Sequence, residues 1–233
     1  MTRALLATLL LAAASGCATV SGPPNPKDPW EGYNRSMFEV NDTADKYVLK
    51  PIAQGYDKVT PGFVQQGVSN FFENLQDLGT GLNNMLQGKF ASGAGDLGRL
   101  VVNSTIGILG LWDVATPMGL EKHNEDFGQT LGWWGVPPGP YFIIPLFGPS
   151  TVRDAPARYV DPSFAYNRSV GDVATRNSLF GLDIVRSRAG LLKAEKVLDE
   201  AALDKYSFTR DAWLQRRRNM VFDGRPPKDP DDD

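Results

Sequence analysis

Asp28-Pro29-Trp30-Glu31-Gly32-Tyr33-Asn34-Arg35-Ser36-Met37-Phe38 opens the body of the chain and sets its class. An acid in the cap position, a proline at the first helical position and a glutamate three residues after the acid together form a helix start signal. Trp30, Tyr33, Met37, Val40, Ala44 and Tyr47 then recur at intervals of three and four, which predicts one apolar helical face running up to a break at Pro51. On the opposite side Asn34, Phe38, Asn41 and Asp45 keep the same spacing and form a mixed polar and aromatic row.

Further along, Thr60-Pro61 repeats the start signal, and Val64, Val68, Phe71, Leu75, Leu78, Leu82 and Met85 repeat the spacing. Phe90, Ala94, Leu97, Val101, Ser104 and Ile108 do so again. Towards the C-terminus, Ile184, Leu191, Ala194, Leu198 and Ala201 mark another helix, and Ser207 is placed to cap a last one reaching Phe222. The period of two that half-buried strands require is not repeated in this way, so the expected class is mainly α.

Phe127–Val152 departs from the pattern. It has no charged side chain, yet its prolines (137, 138, 140, 145, 149) and glycines (128, 132, 135, 139, 148) exclude one continuous helix. An irregular, hairpin-like loop is expected. It carries Phe127, Trp133, Trp134, Tyr141, Phe142 and Phe147, and tryptophan and tyrosine favour the bilayer interface. Two readings follow: a membrane-contacting loop that lines a cavity and pivots at Gly128, Gly132 and Gly135, or an aromatic loop buried as a static plug.

Before Asp28 the chain reads as an address. Arg3 precedes a stretch from Ala4 to Ala14 without charge, then Ser15-Gly16-Cys17. Eleven residues do not cross ~30 Å of hydrocarbon, so residues 1–16 read as a secretory signal. Small residues before Cys17 resemble a lipobox, which makes Cys17 the expected lipidation site and 17–27 a lipidated tether. The last eleven residues, 223–233, hold five acids and two bases and read as a disordered acidic tail.

Composition removes several functions. The formal net charge is −3, without the basic excess that nucleic-acid binding uses. Cys17 and His123 are the only cysteine and histidine, which excludes intrachain disulfides and Cys/His zinc sites, so no metal or cofactor is expected. Gly93-Ala94-Gly95-Asp96-Leu97-Gly98 matches a dinucleotide fingerprint, but no strand precedes it, and it reads as small residues for helix packing. No elbow serine accompanies His123, so catalytic residues are not expected. Arg216-Arg217-Arg218 reads as a solvated helix face or as a contact with lipid phosphates.

Several long motifs, in order, carry a family resemblance: Asp28 to Arg35; Asn103-Ser104-Thr105-Ile106-Gly107 with Asp113-Val114-Ala115; His123-Asn124-Glu125-Asp126-Phe127-Gly128-Gln129-Thr130-Leu131-Gly132; and Gly139-Pro140-Tyr141 through Gly148 to Asp154. Over 28–222 the chain resembles the MlaA/VacJ phospholipid-transport lipoproteins. That resemblance implies a ring of amphipathic helices around a central amphipathic channel, embedded in the inner leaflet of the outer membrane and facing the periplasm. It implies removal of mislocalised phospholipids from the outer leaflet, with trimeric porins and a periplasmic lipid carrier as partners. On this basis Asn34, Phe38, Asn41 and Asp45 are the expected channel lining. A non-transporting scaffold and a lipid hydrolase using His123 are the competing functions.

Overall fold

A computed structural model describes residues 25–161 and 169–228. Cys17 and the signal segment lie outside the described residues. Helix α1 (Glu31–Ala44) passes through a π-helical turn, Asp45–Leu49, into α2 (Lys50–Val59). Pro51 therefore does not end the helix. Its ring would clash with the carbonyl four residues back, and the wider π turn immediately before it absorbs the misfit. α3 (Gly62–Leu86) and α4 (Phe90–Thr105) form an antiparallel hairpin; α5 (Phe127–Trp133), strands β1 (Tyr141–Ile144) and β2 (Gly148–Thr151), and α6 (Asp154–Val160) follow. The long α7 (Val173–Ala201) and α8 (Lys205–Val221) complete the described chain, which is mainly helical as expected.

Two start signals resolve differently from expectation. Asp28 caps nothing: it is buried, and its carboxylate takes Asn34 Nδ2 at 2.7 Å, Arg210 Nη1 at 3.2 Å and the Tyr206 hydroxyl. The last helix is capped by Asp204, which accepts from the Tyr206 N–H, rather than by Ser207.

The fingerprint glycines lie inside α4, after a turn and not after a strand. A Cβ on Gly93 would stand 2.7 Å from Met85 Cγ and 2.8 Å from the Gly81 carbonyl oxygen, so Gly93 lets α3 and α4 cross closely, whereas a Cβ on Gly95 would meet open space. Asn103, at the start of a matched motif, accepts from the N–H groups of Val114 and Ala115 and donates to Asp113, pinning the loop that follows α4. Ile108 and Leu109 in that loop have positive φ, a strained state for a β-branched side chain above all.

Residues 127–152 are not irregular throughout. Asp126 caps the two-turn α5 by accepting from the Gln129 N–H, and Tyr141–Ile144 pairs antiparallel with Gly148–Thr151. At the far end, residues 223–228 are described and bonded: Asp223 meets Lys89 at 2.5 Å and Arg218 donates to the Pro227 carbonyl. The rest of the expected acidic tail, 229–233, lies outside the described residues.

Burial runs opposite to the usual rule. Among the described residues only eight apolar or aromatic side chains are buried, against twenty polar or charged ones. On α1 the apolar row is largely outside, with Trp30, Tyr33, Val40 and Tyr47 exposed, while Asn34 is fully buried. α3 buries Asn74, Asp77, Thr80, Asn83 and Asn84 and leaves Phe63, Val64 and Leu82 exposed; α4 buries Asp96, Arg99 and Asn103 and exposes Phe90 and Val101. None of the helices among the described residues is long and apolar enough to cross a membrane.

Candidate functional site: a charged interior cavity

The polar interior opens into a cavity of about 290 Å³. Its wall takes Gln76 and Thr80 from α3, Asn124 to Asp126 before α5, Ser150 from β2, Asp154 and Arg158 from α6 with Asp161 beyond it, and Trp213, Arg216, Arg217 and Met220 from α8. A second, more open cavity of about 550 Å³ shares Asn124, Glu125, Arg216 and Met220 with the first and adds His123, Gln129 and residues at the end of α8. The two therefore meet at one shared wall.

Arg217 organises the first cavity. Its Nε and Nη2 each lie 3.0 Å from an oxygen of Asp154, and Nη2 lies 2.7 Å from Asp126 Oδ1, so one guanidinium clamps carboxylates from α6 and from the start of α5. Burial raises the pKa of both acids. Hydrogen bonds and charge from Arg217, with Gln129 on Asp126 and Arg153 on Asp154, outweigh it and hold both below the ordinary carboxylate range. Gly128 makes room for the clamp, since a Cβ there would meet Arg217 and stand 2.5 Å from Asp154 Oδ1.

Glu125 is the opposite case. Burial raises its pKa, and the contacts from Gln87 Nε2 at 2.9 Å and Lys89 Nζ at 3.2 Å offset this only in part. His123 Nδ1 sits 3.1 Å from Asp96, whose other oxygen accepts from Asn84, so the histidine belongs to a helix-bridging network.

Sequence-predicted residues are divided by the fold. Asn34, Phe38, Asn41 and Asp45 do share a face, but none of them lines either cavity. Asn34 donates to the Tyr141 carbonyl at 3.2 Å and accepts from the Ile143 N–H at 2.8 Å; two helical turns on, Asn41 does the same for the Ile144 carbonyl and the Leu146 N–H. Phe38 packs edge-on against Tyr206, and Asp45 holds Arg188 of α7 with two contacts of 2.7 Å. The row is a latch for the β-hairpin and α7.

Of the proposed pivots, Gly128 and Gly132 lie within α5, where a Cβ at Gly132 would stand 2.6 Å from Arg153 Nη1 and 2.8 Å from Val221; only Gly135 has positive φ and open space. Close packing, rather than backbone freedom, accounts for the first two. The aromatic loop is itself split. Tyr141 is buried and packs on Trp213, Phe127 and Phe142 are half-buried, and Trp133, Trp134 and Phe147 are exposed.

Arg216-Arg217-Arg218 likewise separates, because successive helical residues point about 100° apart. Arg217 enters the ion cluster, Arg218 reaches Pro227, and Arg216 stands in the shared wall. Arg158 was not anticipated, and no spacing in the sequence marks it.

The MlaA lipoprotein family profile matches residues 26–220. The chain belongs to the MlaA lipoprotein family. It is 31% identical over 239 residues to the intermembrane phospholipid transport system lipoprotein MlaA of Escherichia coli K12, covering 97% of this chain and 91% of that one. The Haemophilus influenzae protein of the same name is 29% identical, covering 96% and 92%, and an uncharacterized protein of Rickettsia bellii is 30% identical, covering 89% and 82%. A solved structure reported as the structural basis for maintenance of bacterial outer membrane lipid asymmetry superposes with a TM-score of 0.71 at 30% identity, over 83% of this chain and 98% of that one. The charged cavity thus belongs to a member of the MlaA family whose apolar helix faces point outward.

Proposed function

We propose that this chain is an outer-membrane lipoprotein that takes mislocalised phospholipids from the outer leaflet and delivers them towards the periplasm, preserving lipid asymmetry. One observation carries the reading beyond family membership: the helices turn polar faces inward onto a charged cavity and leave apolar faces exposed. A helix so arranged needs a hydrophobic surrounding, which the inner leaflet of the outer membrane supplies without any segment crossing the whole bilayer. Acyl chains at Cys17 anchor the chain there. The two adjoining cavities are the path for the headgroup, walled by α3, α6, α8 and, through Ser150, the hairpin. The Phe127–Val152 segment sets its exposed Trp133, Trp134 and Phe147 against lipid, while the latch of Asn34 and Asn41 fixes where the hairpin stands. A trimeric porin beside the chain and a periplasmic carrier below it are the partners this role requires.

The test is photo-crosslinking with a phospholipid that carries a reactive group near its headgroup, applied to the full lipoprotein in membranes. Adducts are expected on peptides of α6 and α8. Adducts confined to the outward faces of α1 to α4 would overturn the cavity path and favour a scaffold that only sits in the bilayer.

A further inference from the structure

We propose that Arg158 and Arg216 together hold the phosphodiester of the phospholipid in the cavity, which makes the phosphate, rather than the headgroup beyond it, the recognised element. The proposal rests on the reading of the cavity as the lipid path. Both residues stand in the wall of the 290 Å³ cavity, Arg158 from α6 and Arg216 from α8. Among the described residues, neither makes a hydrogen bond or an ion pair.

The carboxylates of the same wall are already engaged. Asp126 and Asp154 are clamped by Arg217, Asp161 accepts from the Phe127 N–H and from Asn83, and Glu125 takes Gln87 and Lys89. The remaining hydrogen-bonding capacity of the charged wall lies in two guanidinium groups, whose planar forks match phosphate oxygens. Burial of its surroundings, with Arg217 nearby, lowers the pKa of Arg158 while Asp126 and Asp154 pull the other way, and both Arg158 and Arg216 stay exposed to solvent, where an incoming phosphate can reach them. Trp213 and Met220 in the same wall offer apolar contact to the glycerol and the first methylenes. A phosphodiester is common to zwitterionic and anionic phospholipids, so this pair accepts either.

The experiment measures binding of a fluorescent phospholipid and of a diacylglycerol with the same chains to the detergent-solubilised full lipoprotein. Wild type, Arg158→Gln, Arg158→Gln/Arg216→Gln and Arg158→Lys/Arg216→Lys are compared. Charge-assisted hydrogen bonds are strong enough that the double Gln variant is expected to bind the phospholipid about tenfold more weakly, with diacylglycerol binding unchanged and the Lys pair intermediate. Unaltered far-ultraviolet circular dichroism and thermal midpoint are expected, since neither side chain holds a bond in the fold. Glycerophosphoethanolamine and inorganic phosphate serve as competitors: displacement of the lipid by the soluble diester supports the proposal, whereas displacement by inorganic phosphate alone would reassign the site to free phosphate. Unchanged phospholipid affinity in the double Gln variant, or equal loss for both lipids, would overturn the phosphate contact. If wild type binds neither lipid, the lipid path itself fails; if it binds both equally, only the phosphate contact does.

Discussion

The inside of this molecule and its outer helix faces obey opposite rules. Inside, Arg217 draws Asp126 and Asp154 together, and Arg99 is almost fully buried with Asp77, Asp113, Thr116 and the Leu120 carbonyl. Outside, Phe63 and Val59 are about four-fifths exposed. In a water-soluble domain those roles are reversed, because buried charge is costly and apolar contact with water is unfavourable. Here the stability of the interior depends on every charge being matched, while the outer faces contribute to placement. On the proposed placement in a lipid leaflet, the difference teaches that the two regions answer to different solvents.

Breaking the interior should have the largest effect. Arg217→Met removes the cation and leaves Asp126 and Asp154 facing each other, which should destabilise the fold by about 3–5 kcal/mol, since a buried pair stripped of one member loses far more than the pair was worth. Chemical denaturation in detergent checks this. A loss below about 1 kcal/mol would mean that water in the cavity already screens the clamp.

A smaller, reversible perturbation comes from pH. Asp126 and Asp154 are depressed in the folded state, so the stability they confer is present above the ordinary carboxylate range and is lost as pH falls through their folded values. Glu125 and Asp77 are raised chiefly by burial, so their contribution has the other sign: it is complete below their unfolded values and is lost as pH rises through the folded ones. The thermal midpoint should therefore rise as the buffer is taken from neutral to mildly acid, then fall steeply below about pH 4. Glu125→Gln should flatten the rise and leave the fall. A midpoint that only declines from neutrality would contradict this assignment.

On the outside, Val59→Ser with Phe63→Ser should change unfolding free energy by no more than about 0.5 kcal/mol, as exposed positions do. Binding of the unacylated protein to phospholipid vesicles should nonetheless weaken by about tenfold, from the apolar area lost. Sedimentation with vesicles reads it out, and unchanged binding would remove these faces from the membrane contact.

The helices were legible because their periodicity is strong, but periodicity locates a face without saying which solvent it meets. Asn34 reads as channel lining and Asp96 as part of a small-residue packing stretch in the sequence; only tertiary contacts show that they, with Asn83, are fully buried. For the same reason the row from Asn34 to Asp45 was found as a row and its contacts were not, since its partners, the hairpin and Arg188, lie about a hundred or more residues away. Pro51 marked a real irregularity, and the π turn that accommodates it has no local code. Cavity-wall arginines were the least legible. Arg158 has no motif, and within Arg216-Arg217-Arg218 the helical rotation gives three neighbours three different environments.

Surface exposure of phosphatidylethanolamine tests the central claim most directly. In cells lacking this chain, labelling by a membrane-impermeant amine reagent should rise several-fold, return to baseline with the wild-type gene, and stay high with Cys17→Ala, which removes the proposed lipidation site. Equal labelling with and without the chain, at matched expression of porins and lipopolysaccharide, would contradict a role in lipid asymmetry.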